Sequence, residues 1–563
     1  MIKKVAVIGG GPAGLCAVYQ ALKTQSEDYG FECVGFEGRS KLGGVWSDAP
    51  GKSLESPTVA GQLAKLQDPT IAHDTRSIFY DNSPLVNPVD GSIQLKTLSG
   101  TGIRKPLKIS RRQSLRDGTC FANKTGIYSD FVSNTPKEMM DFENSSAGGF
   151  KSEIYPLVDL PSIKKTFCEF IDKNQLQSHY RMNTSVEYLD KFGPAKYVLA
   201  AKRSDPATDY DEWYLESFDA VIIANGHFSI PYIPYYMSQP KGSELASRTI
   251  HDFNRKFPGV FVHLRDIDGW YHNVLPQLHK KSQHRRLVIV GKSFSCMDLL
   301  KRIKYLQDSG PYEIIISTNQ KPEPDERSPF KWFDEWLLQT DRVTLKPLIQ
   351  EFELSTDLPQ IKFMDGSHYK VDYVLFATGY LYSFPFVSPQ LLESCRIITT
   401  PDPRNDDQQP SNISRVTGLY LHTFSIAEPT LTFSGISSNA NFQSFDISAK
   451  AIVGAFTRFN KLFQLQKPVD FPYFDSIWSQ ILPPIREQLM WSQNRFLQAG
   501  NSAAFHYYYP LTLLLQDWLE PSKRLFPDGE QVEFPSNWRE LSQDGFERLK
   551  NLFQNAMKNG SSH

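Results

Sequence analysis

Short apolar runs that end in glycine-containing turns recur along the chain and predict buried parallel strands. Residues 5–8 and 286–290 form two such runs, and each is followed by a segment with helical spacing, over residues 15–22 and 297–303. Polar and apolar positions alternate between residues 186 and 219, which predicts an antiparallel β-meander. The repeated strand–turn–helix order predicts an α/β fold with two Rossmann-like dinucleotide-binding domains.

The first turn contains a dinucleotide fingerprint. Gly9-Gly10-Gly11-Pro12-Ala13-Gly14 fits G-x-G-x-x-G. Its glycines allow a tight turn, a close approach of the backbone to a pyrophosphate, and close packing of helix on strand. The free N–H groups at the start of the next helix then face the phosphates. We therefore predict that a dinucleotide binds to Gly9, Gly11, Pro12, Ala13 and Gly14.

An acidic residue at the end of the next predicted strand indicates which dinucleotide binds there. Residues 32–36 form that strand, and Glu37 follows it directly. A carboxylate in this place accepts hydrogen bonds from ribose hydroxyls and repels a 2′-phosphate, so FAD or NAD is favoured over NADP. Arg39 and the segment Gly44-Val45-Trp46 are predicted to form a second loop over the same dinucleotide. A simple turn with a buried tryptophan is the alternative.

The second apolar run leads into a less regular turn. Only Gly291 of the three fingerprint glycines is present, although the small residues and hydroxyls after it can still approach a phosphate. Phe294 is bulky for such a turn, and a degenerate loop that binds no nucleotide is the alternative. The following strand, residues 312–317, leads to an amide and a lysine rather than a carboxylate, which favours NADP over NAD. The residues predicted to bind NADP(H) are Gly291, Lys292, Ser293, Ser295, Cys296, Asn319 and Lys321.

These turns and several further motifs resemble the flavin-containing monooxygenases, particularly those of the fungal type. The resemblance covers most of the chain outside residues 47–127. The motifs are G-G-x-W at residues 43–46, F-x-G-x-x-x-H at 257–263, A-T-G-Y at 377–380, and Y-x-x-L-x-x-N-x-P-K-x-x-M-x-F at 128–142, where Phe131 replaces the leucine.

The resemblance implies a glutathione-reductase-like architecture whose FAD domain is split in sequence. Residues 1–229 are then the first part of the FAD-binding domain, with a long insert at 47–127. Residues 230–370 form the NADP-binding domain, and residues 371–563 form the second part of the FAD domain with a C-terminal helical cap. The polar segment 550–563 is predicted to be a frayed end.

The resemblance also implies individual cofactor contacts. His263 lies near the nicotinamide cofactor, the backbone of Val186 contacts the adenine, and Thr378 and Gly379 lie where the chain passes between the domains. Asn134 lies beside the flavin ring, where its amide can both donate and accept a hydrogen bond. Residue type alone favours a different role for Asn134, as a helix cap before a proline and a lysine.

The implied reaction is oxygen transfer. NADPH reduces FAD, O2 forms a C4a-hydroperoxyflavin, and one oxygen atom passes to the sulfur or nitrogen of a small thiol, sulfide or amine. We therefore predict an FAD- and NADPH-dependent N,S-monooxygenase. A Baeyer–Villiger-type monooxygenase is one alternative, which the A-T-G-Y continuation and Ile267 disfavour. A non-catalytic FAD-binding homologue with a degenerate NADP loop is another.

Composition narrows the remaining classes. The net charge of −1 gives no basic excess for nucleic acid. The six cysteines include no C-x-x-C pair, which disfavours a disulfide reductase or metal site and favours a reducing, cytoplasmic location. The sequence contains no apolar run of about 18 residues, so it predicts no transmembrane segment. The alternative to a cytoplasmic protein is one attached peripherally to the cytosolic face of an internal membrane. Substrate identity and oligomeric state stay open.

Overall fold

The computed structural model describes most of the chain. The described residues are 1–25, 28–47, 58–65, 85, 93–111, 125–140, 154–193, 196–233, 245–278, 285–318, 321–326, 328–397, 416–438, 441–466, 473–498, 505–506 and 514–558. Within them, the strands are β1 Lys4–Ile8, β2 Glu32–Phe36, β3 Leu107–Ser110, β4 Tyr180–Arg181, β5 Thr184–Lys191, β6 Tyr197–Arg203, β7 Tyr210–Phe218, β8 Ala220–Ile223, β9 Ile230–Pro231, β10 Phe261–His263, β11 Arg285–Val290, β12 Tyr312–Ser317, β13 Thr344–Lys346, β14 Ile349–Glu353, β15 Gln360–Phe363, β16 His368–Lys370, β17 Tyr373–Phe376, β18 Tyr380–Leu381, β19 Leu419–Tyr420, β20 Phe424–Ser425, β21 Leu431–Phe433, β22 Ser437–Ser438 and β23 Phe505–His506.

The α-helices of the described residues lie between and beyond these strands. They are α1 Pro12–Thr24, α2 Thr58–Lys65, α3 Leu160–Lys173, α4 Leu245–Lys256, α5 Ile267–Asn273, α6 Leu275–Leu278, α7 Phe294–Ser309, α8 Lys331–Gln339, α9 Pro389–Ser394, α10 Asn441–Gln466, α11 Tyr473–Trp478, α12 Ile485–Gln498, α13 Glu520–Lys523 and α14 Trp538–Lys558. A π-helical turn, Leu514–Leu519, precedes α13.

A seven-stranded sheet carries the first fingerprint, in the order β19-β20-β21-β8-β1-β2-β4. The five strands from β21 to β4 run parallel. Residues 5–8 of β1 are all buried, which is why that strand has a continuous apolar sequence. The sheet combines strands from residues 4–223 with strands from residues 419–433, so this half of the fold is split in sequence as predicted.

A five-stranded parallel sheet carries the second loop, in the order β10-β17-β11-β12-β13. Leu287 and Ile289 pack into a core on the α7 face, and Val288 and Val290 pack into a core on the opposite face. Both faces are therefore covered, as the apolar run predicted. Helix α7 begins at Phe294, earlier than the predicted 297, because Ser293 already occupies the N-cap position.

The predicted boundary at residues 370/371 is too early. It assigns β17 to the FAD domain, but β17 pairs with β10 and β11 in the second sheet. The apolar pattern of β17 is the same as that of β8, so the sequence does not indicate which sheet the strand joins. The two segments that connect the sheets lie side by side, because β9 and β18 pair antiparallel just beyond β8 and β17.

Part of the predicted insert belongs to the folded domains. The predicted β-meander is present as β5, β6 and β7, and β3 from the insert pairs with the edge of β7. Helix α2, also from the insert, buries Val59 and Leu63 in the core beside β10 and β9. Most of the other insert residues lie outside the described ranges.

The tail divides between the two halves of the molecule. Helices α10 and α11 pack on the core of the first sheet, which agrees with the predicted cap. Helix α14 instead buries Leu549, Phe553 and Met557 in the core beside α7. The prediction of a frayed end from residue 550 is therefore wrong through residue 558: those three residues recur every fourth position and form an apolar stripe among polar neighbours.

Candidate active site

One cavity of about 800 Å³ reaches from the first glycine loop to the second. Its volume is within the usual range for cofactor and ligand pockets. Residues from both sheets line it, together with the strip of chain from 126 to 135 that includes Asn134. The two loops therefore share one cavity, because the carboxyl ends of β1 and β11 point toward it.

The first loop lies close to the backbone of the adjacent strand. Gly9 has φ of +113°, and a Cβ on it would lie 2.3 Å from the carbonyl oxygen of Ala224. A Cβ on Gly14 would lie 1.9 Å from the carbonyl oxygen of Gly9, so Gly14 allows helix α1 to approach the loop. Gly11, the N-cap of α1, lines the cavity and has no side chain to cover the helix N-terminus. Both crowded positions therefore require glycine.

The predicted ribose acid is fixed at the cavity wall. Glu37 is 8% exposed, and its two carboxylate oxygens accept hydrogen bonds from the backbone N–H groups of Gly10 and Arg39, each at 2.8 Å. The loop at residues 43–46 packs against the first glycine loop, because the N–H of Gly43 donates to the carbonyl of Gly10 at 2.8 Å. The Arg39 Nη1 donates to the carbonyl of Gly44 at 3.1 Å.

Asn134 lies at the cavity wall and does not cap a helix. The short 3-10 helix Lys137–Met139 has Pro136 as its N-cap residue and no side-chain cap, so the capping alternative is wrong. The Asn134 Oδ1 accepts a hydrogen bond from Thr135 Oγ1 at 3.3 Å. Two hydrogen bonds between Ser133 and the backbone of Val158, at 2.8 and 2.9 Å, fix the chain beside it.

Aromatic side chains form much of the remaining wall. Trp46 meets Phe131 edge-on at 5.3 Å between ring centroids, and the ring of His227 lies 4.5 Å from that of Tyr382. Burial raises the pKa of Tyr380 to about 12, so its hydroxyl stays protonated near neutral pH. We refer to the following wall residues as the aromatic chamber: Trp46, Phe131, His227, Phe228, Tyr380, Tyr382, Phe442 and Phe445.

The second loop keeps the first glycine and changes the rest. Gly291 has φ of +102°, and a Cβ on it would lie 2.7 Å from the carbonyl oxygen of Ala377. Ser293 and Ser295 line the cavity at the start of α7. Cys296 is fully buried in the core, and burial raises the pKa of its thiol to about 12. Lys292 forms an ion pair with Asp334 at 2.7 Å instead of lining the cavity.

His263 is buried beside the Gly379 turn and is not part of the cavity wall. It is 2% exposed, and its Nδ1 accepts a hydrogen bond from the N–H of Arg265 at 3.1 Å. Its Nε2 lies 3.1 Å from the carbonyl oxygen of Gly379, to which it donates. Burial lowers the pKa of His263 to about 4, so the ring is neutral near pH 7. Its role is to hold the Gly379 turn, which does line the cavity.

Known proteins with similar sequences are flavin-dependent oxygenases. No family model matches the chain. It is 24% identical over 479 residues to the flavin-containing monooxygenase iboF of Amanita muscaria, covering 79% of this chain and 76% of that protein. It is 27% identical over 326 residues to the trimethylamine monooxygenase of Methylocella silvestris, covering 57% and 58% of the two chains. The chain is thus similar in sequence to proteins named flavin-containing monooxygenases.

Two solved structures share the fold of this protein over nearly all of its chain. The S-allyl-L-cysteine S-oxygenase of Allium sativum has a TM-score of 0.57 and 17% identity, covering 99% of this chain and 95% of that one. Tmm from Pelagibacter has a TM-score of 0.54 and 16% identity, covering 98% and 90%. The predicted fold class, an α/β protein with two dinucleotide-binding domains, is confirmed.

The cavity wall brings together most of the site residues that the sequence predicted. Gly14, His263, Gly291, Lys292, Cys296 and Lys321 are not part of the wall, and Asn319 lies outside the described residues. The predicted residues that line the cavity are Gly9, Gly11, Pro12, Ala13, Glu37, Arg39, Gly44, Val45, Trp46, Asn134, Val186, Ser293, Ser295, Thr378 and Gly379.

Several wall residues were not predicted. Arg111, which follows the insert strand β3, lines the cavity and forms an ion pair with Asp211 at 2.7 Å. Leu549 and Phe553 of α14 also line it. The four-residue spacing of Leu549 and Phe553 is typical of one face of a helix and was the signal in the sequence that could have found them. No local motif precedes Arg111, because its partner lies 100 positions away in sequence.

Proposed function

We propose that the protein is an FAD- and NADPH-dependent monooxygenase that transfers one oxygen atom of O2 to nitrogen or sulfur of a small molecule. The observation that carries the proposal is the shared cavity, whose wall includes both dinucleotide loops and Asn134. A hydride donor and an acceptor cofactor bound at the two loops would meet in this one cavity. The relatives' names, which include trimethylamine monooxygenase and S-allyl-L-cysteine S-oxygenase, support the same reaction class.

The residues present fit FAD at the first loop. Gly9 and Gly14 allow the loop to pack closely against the adjacent strand and helix, Gly11 leaves the N-terminus of α1 open to the cavity, and Glu37 offers carboxylate oxygens for ribose hydroxyls. Ser437, only 1% exposed, lines the cavity, and its hydroxyl has no hydrogen-bond partner among the described residues. A polar ring edge would satisfy that hydroxyl. We therefore place FAD along Gly9–Ala13, Glu37 and Ser437.

NADPH fits the second loop less closely. Ser293 makes no side-chain cap to α7, so its hydroxyl and the helix N-terminus can both meet a phosphate. The indole N–H of Trp332 is buried in the same part of the wall without a partner in the described chain. It is a second donor for a bound nucleotide.

FAD supplies the electron transfer and the reaction with O2, and the protein contributes orientation and exclusion of water. The Asn134 amide can donate and accept hydrogen bonds where the oxygen is transferred. No member of the aromatic chamber carries a carboxylate, ammonium or guanidinium group. The chamber therefore suits an uncharged amine or sulfide, and the charged side chains of Glu37, Arg39, Asp298 and Lys301 line other parts of the same cavity.

A second candidate is an FAD-binding protein that does not react with NADPH. The pairing of Lys292 with Asp334 favours it, because it removes the one positive charge within the loop from the cavity. The Baeyer–Villiger alternative gains no support from any observation on the described residues.

The decisive experiment is anaerobic mixing of the purified yellow protein with NADPH. The visible flavin absorbance should bleach, and admission of isotopically heavy O2 with a dialkyl sulfide or tertiary amine should give a product that carries one heavy oxygen atom. Absence of bleaching with either NADPH or NADH would overturn the monooxygenase proposal and support the second candidate.

We also propose a cytoplasmic location. Cys33, Cys168, Cys296 and Cys395 form no disulfide in the described part of the chain, as expected in a reducing compartment. None of the described helices has the length and apolar character needed to cross a bilayer. Fractionation of cells that express a tagged chain tests the location, and recovery with a membrane pellet after a high-salt wash would contradict it.

A further inference from the structure

A buried charged cluster joins the strip of chain that carries Asn134 to helix α7. We define the Asn134 strip as residues 125–135. At the centre of the cluster is Arg302 of α7, whose side chain is 7% exposed. Its Nε donates to Asp130 Oδ2 at 2.7 Å, and its Nη2 donates to the other oxygen of the same carboxylate. Its Nη1 donates to Asp268 Oδ1 at 2.9 Å, so one guanidinium binds two carboxylates.

Three successive residues of the strip take part in this cluster. The backbone N–H and hydroxyl of Ser129 donate to the Asp268 carboxylate at 2.8 and 3.0 Å. The Tyr128 hydroxyl donates to Asp298, one turn before Arg302 on α7. The Arg302 guanidinium lies 4.8 Å from the centroid of the Tyr128 ring. The strip is therefore bound to α7 and α5 by side chains that converge on Arg302.

The cluster has a mechanical relation to both halves of the cavity. Asn134 follows two anchors along the strip, the cluster contacts at residues 128–130 and the hydrogen bonds that join Ser133 to the backbone of Val158. Ser293 and Ser295, at the other end of α7, line the proposed NADPH site. The same rigid helix therefore holds the NADPH loop at its start and the Asn134 strip two turns later.

We propose that Arg302 is a positioning residue that fixes Asn134 relative to the second dinucleotide loop. It does not line the cavity, and it acts through Asp130 and Asp268. A bidentate guanidinium pair fixes both distance and plane, which a lysine or an apolar side chain does not. The Arg302 and Asp268 side chains are buried, whereas Asp130 is 56% exposed. Since neither a buried nor an exposed ion pair adds much net stability, geometry is the property that the guanidinium supplies best. The proposal rests on the monooxygenase function proposed above.

The first test is Arg302→Lys in the FAD-loaded protein. Lysine keeps the charge and loses the bidentate geometry. We expect product formed per NADPH oxidised to fall on the order of 10-fold, with peroxide released instead, because a small misplacement of a catalytic group has effects of that size. FAD content and anaerobic bleaching by NADPH should stay at the wild-type level.

Asp130→Asn provides the second variant. Asp130 is 56% exposed, so the change removes charge without leaving a cavity. It should lower coupling as Arg302→Lys does, and the double variant should be no worse than either single one, because the two groups act as a unit. Arg495→Lys is the matched control: Arg495 is 9% exposed, pairs with Asp517 at 2.6 Å, and does not line the cavity. Its coupling should equal wild type.

Amide hydrogen exchange gives a readout that does not depend on turnover. Peptides covering residues 125–135 should exchange roughly 10-fold faster in Arg302→Lys and unchanged in Arg495→Lys. Wild-type coupling in both Arg302→Lys and Asp130→Asn would overturn the proposal, as would a loss of FAD and bleaching in proportion to coupling. If the wild-type protein fails to bleach, the monooxygenase function is at fault, whereas the exchange result still decides whether Arg302 fixes the strip.

Discussion

The two glycine loops share one geometric element and differ in the others. Gly9 and Gly291 both have positive φ, and each lies against the carbonyl oxygen that follows the neighbouring parallel strand, at Ala224 and Ala377. The last fingerprint position is glycine in the first loop, but in the second it is Cys296, packed in the core. The first glycine of each loop is therefore required because the neighbouring parallel strand lies so close to it. The need for glycine at the other two fingerprint positions depends on how closely the helix and the ligand approach the loop.

The largest effect should come from Gly9→Ala, with Gly291→Ala as its matched counterpart. Both place a methyl group against a backbone carbonyl at positive φ, with a strain cost of order 1–3 kcal/mol or more. Gly9→Ala should purify with roughly 10-fold less FAD or lower still. Gly291→Ala should keep its yellow colour and bleach at least about 10-fold more slowly with NADPH. Absorbance of the folded protein measures both.

The paired design separates the loops. Circular dichroism of both variants establishes that the chain is folded before FAD is counted. Equal loss of FAD in the two variants would contradict the assignment of FAD to the first loop, and full FAD retention in Gly9→Ala would contradict the close approach itself.

Helix α14 is the second difference, because Leu549, Phe553 and Met557 of its C-terminal half pack in the core on the NADPH side, whereas Trp538 at its start packs against the core of the first sheet. Phe553 is 2% exposed and contacts Trp336, Phe333 and Trp332 at 4.9, 5.4 and 5.5 Å between ring centroids. Phe553→Ala should destabilise this half by about 3–5 kcal/mol and raise KM for NADPH while FAD is retained. Phe553→Leu, the control, should cost less than about 1.5 kcal/mol. Loss of FAD before loss of NADPH affinity in a urea titration would refute this division.

The sequence was most informative where a strand is buried on both faces or where backbone crowding requires glycine. Strands β2 and β12 have the predicted bounds, and the Gly9 loop has the predicted geometry. These features depend on residues close together in the chain, so their patterns are visible locally.

Features that depend on distant contacts were not predictable. The sheet that β17 joins, the surface that α14 covers and the partner of Lys292 are all decided by tertiary packing. The bond from Arg302 to Asp130 connects residues 172 positions apart, and the motif at 128–142 that contains Asp130 does not indicate this partner. His263 matched a family motif, yet one ring nitrogen donates to the carbonyl of Gly379 and the other accepts from the N–H of Arg265, because a motif records a position in the fold and not a contact.

The two segments that connect the sheets also differ in how their contribution to stability depends on pH. Burial lowers the pKa of His263 to about 4 from an ordinary value of 6.5. The unfolded chain therefore binds this proton first, so stability is intact above about pH 6.5 and falls as the pH drops toward 4. At pH 5 the loss from this one residue is about 2 kcal/mol. The first crossing uses Asn225, whose Nδ2 donates to the carbonyl of Ser383 at 3.0 Å and does not titrate.

Urea unfolding of the wild type and His263→Gln at about pH 7 and pH 5 measures this contribution. Glutamine keeps an N–H donor for Gly379, and the pH-dependent loss should be smaller by about 2 kcal/mol. His422, whose pKa burial lowers to about 3, is present in both proteins and contributes equally to the background. An identical pH dependence in the two proteins would show that the His263 ring is not held neutral.

The smallest effect on activity should come from releasing Lys292, the positive charge in the Gly291 loop, from its ion pair. Lys292 is held by Asp334 at 2.7 Å, and both side chains are partly exposed, 28% and 17%. Asp334→Asn frees the ammonium group to turn toward a bound phosphate, and KM for NADPH should fall about threefold, the size of a partly screened ion pair. Because the competing interaction is ionic, the gain should shrink at high salt. Lys331→Met, which removes a more distant ion pair with Glu335 at 3.4 Å, is the control and should leave KM unchanged. A higher KM in Asp334→Asn would mean that the ion pair shapes the loop for NADPH, and the second loop would then resemble the first more closely than its sequence indicates.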